Sequence, residues 1–378
     1  MLQIRQFGML SILGTITLMT LLVLPAMVGT LVDETSLTEV QAGWSASLNF
    51  LGGATIAGLM ALRMHHLDLR RISMFGFLLA ATGDALAGFS TEHAWLFMAL
   101  RFFTGVGSGI AYTSVLAAFA RLPEVDRGYA LFVTLQFVVS GLGLFFLPVF
   151  SEALGARGMF LSLAGLDILG LLLCSHLPGK AVLLPSGKGF KTELRVLLAG
   201  ATILGALGFL IFEAAFTAEF TYVERLGVSL TFTDQQIGTA MLLASLAGIP
   251  GAFSIVLLGG RIGRFNGLVF GIGASITGLL IMITAQTFVP YIIGSILISF
   301  AWAFCLPFIQ GLLASLDPNG TAVAAGSASS TVGGAIGPGL AAIVIGSGVY
   351  RHVFMFAIVL LLIALACFFI SGRLSARP

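Results

Sequence analysis

Charge is what this sequence has least of. Only 9% of its 378 residues are Asp, Glu, Lys or Arg, while 58% are hydrophobic and the mean hydropathy is +1.07. A soluble domain of this size has no way to hide so much apolar surface, so the composition points to a polytopic membrane protein. The net charge of +2 is too small to suggest a nucleic-acid partner. Cysteine is nearly absent. Cys174, Cys305 and Cys367 lie far apart in apolar stretches, without ligand or redox spacing, and read as packing residues. The five histidines form no metal motif, and no nucleotide-binding motif is present. No Ser/His, His/Glu or Cys cluster has the spacing that intramembrane catalysis needs. The expectation is a protein that is not an enzyme and holds no cofactor.

What the chain has instead is long apolar runs. A bilayer crossing needs about 20 apolar residues. Cutting at charged, Pro-rich or Gly-rich breaks gives twelve runs, at about 8–31, 42–62, 72–90, 94–119, 128–150, 157–176, 196–218, 236–258, 265–284, 289–314, 322–346 and 350–371. The first is too long for a signal-peptide core and lacks a cleavage site, so it reads as a membrane helix. With the N-terminus in the cytoplasm, fourteen Lys and Arg fall on the inner side. Only Arg157, Arg225 and Arg351 fall on the outer side, which carries acids instead. This bias predicts an inner (plasma) membrane protein, multi-pass, with both termini cytoplasmic.

The longest polar break, His176 to Leu194, lies near the middle with six runs on either side. It divides the chain into a six-helix bundle over 1–176, a cytoplasmic linker over 177–195 and a second bundle over 196–378. The halves resemble one another. Gln41-Ala42-Gly43 opens the second run, and Gln236-Ile237-Gly238 opens the eighth, 195 residues later. Gly53 and Gly248 keep that offset, and basic loops follow both runs. The expected fold is all-α and integral to the membrane, with two pseudo-symmetric bundles and a ligand path between them.

One stretch stands out: Leu100 to Tyr112, LRFFTGVGSGIAY. An arginine in an apolar run costs roughly 3 kcal/mol on insertion scales. At helical spacing Arg101, Gly105, Ser108 and Tyr112 share one face, above a ladder of small residues. The run Arg101-Phe-Phe-Thr-Gly105-Val-Gly107-Ser-Gly109 resembles the fourth-helix signature R-x-x-x-G-x-G-x-G of the major facilitator superfamily. The 6+6 layout with a basic central loop resembles that family over the whole chain. Gly260-Arg261-Ile262-Gly263-Arg264 is similar to its loop signature but has glycine where the aspartate belongs, and near Arg63 only the arginine is kept. The helix-5 exporter signature fits poorly at Gly141, Gly143 and Pro148. Gly333 to Gly339 in the eleventh run is a closer likeness.

The resemblance implies that the first, fourth, seventh and tenth helices line a cavity. Their polar residues Thr17, Tyr112, Thr113, Trp302 and Gln310 are then the expected substrate contacts. Aromatics and hydroxyls around few charges suit an aromatic or amphipathic solute. Arg63, Arg261, Gly263 and Arg264 are the expected cytoplasmic gate. The resemblance implicates Arg101 in proton coupling. Glu213, placed in the outer third of the seventh run, is expected to meet it across the halves and to carry the proton. Asp84, at a similar depth beside Arg101, competes as its partner, and backbone carbonyls are the third alternative. Asp167 is expected to make a structural hydrogen bond. Glu219 to Gly227, EFTYVERLG, is expected outside the membrane.

The function expected is therefore a secondary carrier of a small organic solute, working by alternating access. The proton is its coupling ion, the bilayer its other partner, and the monomer its working unit. Uptake is slightly favoured over proton-driven efflux. A reading of another class is a membrane sensor or assembly protein with the same fold.

Overall fold

The computed structural model describes residues 2–61, 68–119, 125–177, 195–258, 262–317, 320–346 and 349–375. Apolar runs become helices because lipid offers no partner for backbone N–H and C=O groups, and a helix satisfies them within one segment. The chain divides into two compact units, Met1–Leu184 and Pro185–Pro378.

In the first unit the opening run forms three pieces, α1 (Leu2–Thr17), α2 (Met19–Leu22) and α3 (Leu24–Glu34). The breaks fall at Leu18 (φ −101°, ψ 4°) and Val23 (φ −113°, ψ 16°), with Pro25 in the first turn of α3. Proline there has no N–H to give to the preceding turn, and the Leu22 carbonyl lies beside the Val23 break. Ser140 supplies a donor, its hydroxyl reaching the Leu22 carbonyl at 2.7 Å. Next come α4 (Glu39–Ala61), α5 (Leu69–Gly88), α6 (Ala94–Phe119) and α7 (Val125–Leu173). The last covers two expected crossings and is broken at Gly155, whose φ of 70° and ψ of 177° only glycine adopts readily.

The glycine ladder of α6 is a packing device. A side chain at Gly105 would overlap the Asn49 carbonyl oxygen of α4, and a Cβ at Gly109 would lie 2.6 Å from the Gly53 Cα. On the other face, Gly107 meets Gly76 and Ala80 of α5. The helix thus lies backbone to backbone between α4 and α5, as small residues allow in membranes.

The second unit holds α8 (Gly200–Ser229), α9 (Asp234–Leu258), α10 (Arg264–Thr284), α11 (Phe288–Leu316), α12 (Thr321–Ile345) and α13 (Arg351–Ser375). Its internal pairing repeats that of the first. α11 packs on α9 and α10 as α6 packs on α4 and α5, and α13 packs on α10 as α7 packs on α5. A Cβ at Gly251 would press on the Phe300 carbonyl, as one at Gly52 would on that of Phe102. In α12, Gly333 abuts the Leu210 carbonyl and Gly337 abuts Thr217 and the Ala214 carbonyl of α8. The GGAIGPG likeness is therefore a helix contact within this unit.

Eight helices among the described residues are long and apolar enough to cross a membrane, and Gln6–Thr17 and Leu131–Leu147 are shorter apolar helices. The twelve expected crossings are not all matched on that measure. The first is broken, and α5 carries Arg70, Arg71 and Asp84. One boundary is corrected outright. The seventh run ends not near Thr217 but at Ser229, so EFTYVERLG is the last two turns of α8, with Glu219, Glu224 and Arg225 buried. Hydropathy sees three charges there and reads a loop. Buried Glu219, Tyr222, Val223 and Leu226, at helical spacing, hold the segment in the helix instead.

Candidate coupling and binding sites

Arg101 stands two turns into α6 and is fully buried. Its guanidinium is divided among four neighbours. One terminal nitrogen donates to the Asp84 carboxylate of α5, closing a buried ion pair. The other donates to Thr20 Oγ1 at 3.0 Å, in the short segment α2, and lies 3.9 Å from Met27 Sδ of α3. The Phe160 ring of α7 lies 5.2 Å from the guanidinium carbon. Its Nε has no hydrogen-bond partner among the described residues. The Arg101 backbone is held too, its carbonyl accepting from Asn49 Nδ2 at 3.0 Å. The break in the first run has a use here, because it sets Thr20 facing the arginine.

The sequence left three partners open for Arg101, and the structure fills the place with Asp84. It also adds a group that the sequence did not connect. The Asp167 carboxyl of α7, 5% exposed, lies within hydrogen-bonding reach of Asp84. One arginine and two carboxyls from three helices thus share one buried site. The clue available beforehand was that each was a lone acid in an apolar run.

In the second unit Glu213 lies at the middle of the 30-residue α8, not in the outer third, because the helix runs on to Ser229. Half-buried, it accepts from Trp302 Nε1 of α11 at 3.4 Å. Trp302 stacks on Phe216 with ring centres 4.5 Å apart, and Phe216 stacks on Phe220 at 5.4 Å. Two expected residues, Glu213 and Trp302, are thereby joined in a carboxylate with an aromatic face beside it. Replacing Trp302 by phenylalanine keeps the stack and removes the donor. The expected cost is about 1 kcal/mol, read as a lower unfolding midpoint of the purified protein. Further along, Glu224 and Arg225 form a two-point pair at 2.6 and 2.9 Å. The Tyr291 hydroxyl donates to the Val223 carbonyl at 3.0 Å.

The other expected contacts are less committed. Thr17 donates to the Gly14 carbonyl and Thr113 to the Gly109 carbonyl, so both hydroxyls serve their own helices. Tyr112 is half-buried. Gln310 keeps a buried Oε1 without a partner. Of the expected gate, Arg63 and Arg261 lie outside the described residues. Gly263 has φ +73° with open space around its Cα, and Arg264 is exposed, its side chain passing over Gly311. Basic residues near helix ends do find carbonyls: Arg70 Nε donates to Leu177 O at 3.1 Å and Arg351 to Ala285 O at 3.4 Å. Among the described residues no three His, Cys, Asp or Glu side chains converge as metal ligands would.

Comparison with known proteins places this geometry. No curated protein matches the sequence. Among solved structures, the fold is similar to a bacterial homolog to the human lysosomal transporter Spinster, in an inward-facing and unoccupied conformation. The TM-score is 0.72 at 14% identity, over 98% of this chain and 97% of that one. The sequence model of the Major Facilitator Superfamily matches residues 9–326. With a fold of that kind and a family match over most of its length, this chain belongs to the Major Facilitator Superfamily.

Proposed function

We propose that this protein is a proton-coupled carrier of a small aromatic or amphipathic organic solute, working by alternating access as a monomer in an inner membrane with both termini in the cytoplasm. The observation that carries the reading is the Arg101–Asp84–Asp167 group. With both acids ionised its charge is −1, and one proton brings it to zero. A buried site that changes charge by one unit changes its cost of burial by several kcal/mol. That is enough to bias two conformations of a carrier.

Thr20 and Met27 link the site to the broken first helix. Any movement of that helix changes what faces Arg101, and so what the two acids share. Glu213 with Trp302, and the nearby stack of Phe216 and Phe220, supply an acceptor beside flat apolar surface, which suits an aromatic solute with a donor group. Thr17, Tyr112, Thr113 and Gln310 remain the polar contacts proposed to complete the solute site. Gly263, Arg264, Arg63 and Arg261 are the proposed gate. Uptake with the proton is favoured over exchange against it, because the exporter-type glycines sit in α12 rather than in the fifth run.

The test starts with a thermal-shift screen of small organic solutes on the purified protein. A stabilising solute is then offered to proteoliposomes under an imposed pH gradient. Accumulation down the proton gradient supports symport. Accumulation only when the gradient is reversed supports antiport. Binding without movement under either gradient contradicts the carrier reading.

A further inference from the structure

Glu219 sits six residues beyond Glu213 on α8, 4% exposed, and the preceding reading gives it no task. Its Oε1 has no hydrogen-bond partner among the described residues. It opens on a small cavity lined by Phe212, Phe216, Ser275, Trp302 and Ala357, with about 10 Å³ open to the centre of a water-sized sphere. That is about the room of a single water and far too little for an organic solute, so this space suits a water and a proton.

The position within the unit is telling. The cavity is formed by α8, α10, α11 and α13. The corresponding elements of the first unit, the opening run with α5, α6 and α7, enclose the Arg101 group. Leu279, on the cavity wall, follows Asp84 by 195 residues, the offset that relates Gln236 to Gln41. The second unit thus has leucine in the equivalent place and takes its acid from α8 instead.

Among the described residues no cation lines the cavity. α10 offers Ser275 and Leu279, α11 offers Trp302, and α13 offers Ala357 and Leu361. α9 and α12 contribute nothing to the wall. Tyr291 is a further titratable group near Glu219, and its hydroxyl is engaged with Val223. Along α8, Glu224 is paired with Arg225 and Glu213 with Trp302. A carboxylate buried without a counter-charge costs several kcal/mol, whereas a carboxylic acid needs only one acceptor, which a single water supplies. Packing alone calls for no acid here.

Building on the proton-coupled reading, we propose that Glu219 is a second proton site, taking a proton when its cavity is closed and releasing it when water enters. The test is infrared titration of the full-length protein in lipid, following the carboxylic-acid C=O band with pH. The wild type should show a titrating component that Glu219→Gln removes. If the glutamine variant does not fold, Glu219→Asp should move that component in frequency. With a solute identified, wild type should move two protons per solute and Glu219→Gln one.

A band unchanged in Glu219→Gln overturns the proposal, as does a Glu219 component that never titrates, which marks a permanently neutral acid. Stabilisation by sodium chloride that Glu219→Gln abolishes would assign the cavity to a metal cation and overturn it too. The infrared readout needs no solute, so it stands apart from the Arg101 group. That reading fails separately if Asp84→Asn leaves solute-driven proton movement unchanged.

Discussion

Replacing Arg101 by alanine is expected to cost about 3–5 kcal/mol of stability, the usual result of stripping one partner from a buried ion pair. The magnitude follows from what is left behind. Asp84 and Asp167 are 3% and 5% exposed, and Arg101 is the cation they share. The bond to Thr20 and the contacts with Met27 and Phe160 go as well. Lysine keeps the charge but loses the fork that reaches Asp84 and Thr20 together, so Arg101→Lys should fall between wild type and alanine.

The more informative variant replaces Arg101, Asp84 and Asp167 together by leucine. Apolar replacement of a whole buried ion group is often neutral or stabilising. The triple variant should therefore melt near the wild-type temperature yet move one proton fewer with its solute than the wild type. Chemical or thermal unfolding in detergent measures the first effect and a pH-sensitive dye inside vesicles the second. If the triple variant moves protons normally, the group is structural only.

Gly105→Ala is expected to cost about 3 kcal/mol, at the upper end for overpacking, although it adds a single methyl group. The added carbon would overlap the Asn49 carbonyl oxygen, a backbone atom of α4 that no rotamer change can move away. The two helices must separate, and the Asn49 amide then loses the Arg101 carbonyl that it now holds at 3.0 Å. The packing device and the charged site are thus mechanically linked through one residue. The control is Gly58→Ala on the same α4, where a Cβ meets nothing within 4 Å. There the change should be neutral or gain up to about 1 kcal/mol from helix propensity. Equal melting temperatures for the two variants would contradict the close α4–α6 approach.

Much of this was legible in the residues themselves. Arg101 announced itself because charge in an apolar run is costly, and Asp84 followed from its depth beside a short loop. The glycines of α6 read correctly as a packing surface. Other features were hidden for physical reasons. Asp167 comes to Asp84 through the packing of α7 on α5, a contact that no pattern within either run encodes. Glu213 was placed too near the surface because the end of α8 was set by average hydropathy. That average cannot distinguish a solvated Glu-Arg pair from one that neutralises itself inside a helix, as Glu224 and Arg225 do. Glu219 was lost in the same error. The opening run reads as one apolar stretch, and its break at Val23 is accompanied by a bond from Ser140 of a distant helix to the Leu22 carbonyl.

The most direct test of coupling through the first unit is solute transport by Asp84→Asn in proteoliposomes, measured in two modes. Asparagine keeps the shape and removes the titratable group. Solute exchange at equal concentrations inside and out should persist, because it requires no net proton movement. Uphill accumulation driven by a pH gradient should fall at least tenfold. Accumulation at the wild-type rate in Asp84→Asn would show that the proton is carried elsewhere and would contradict the account.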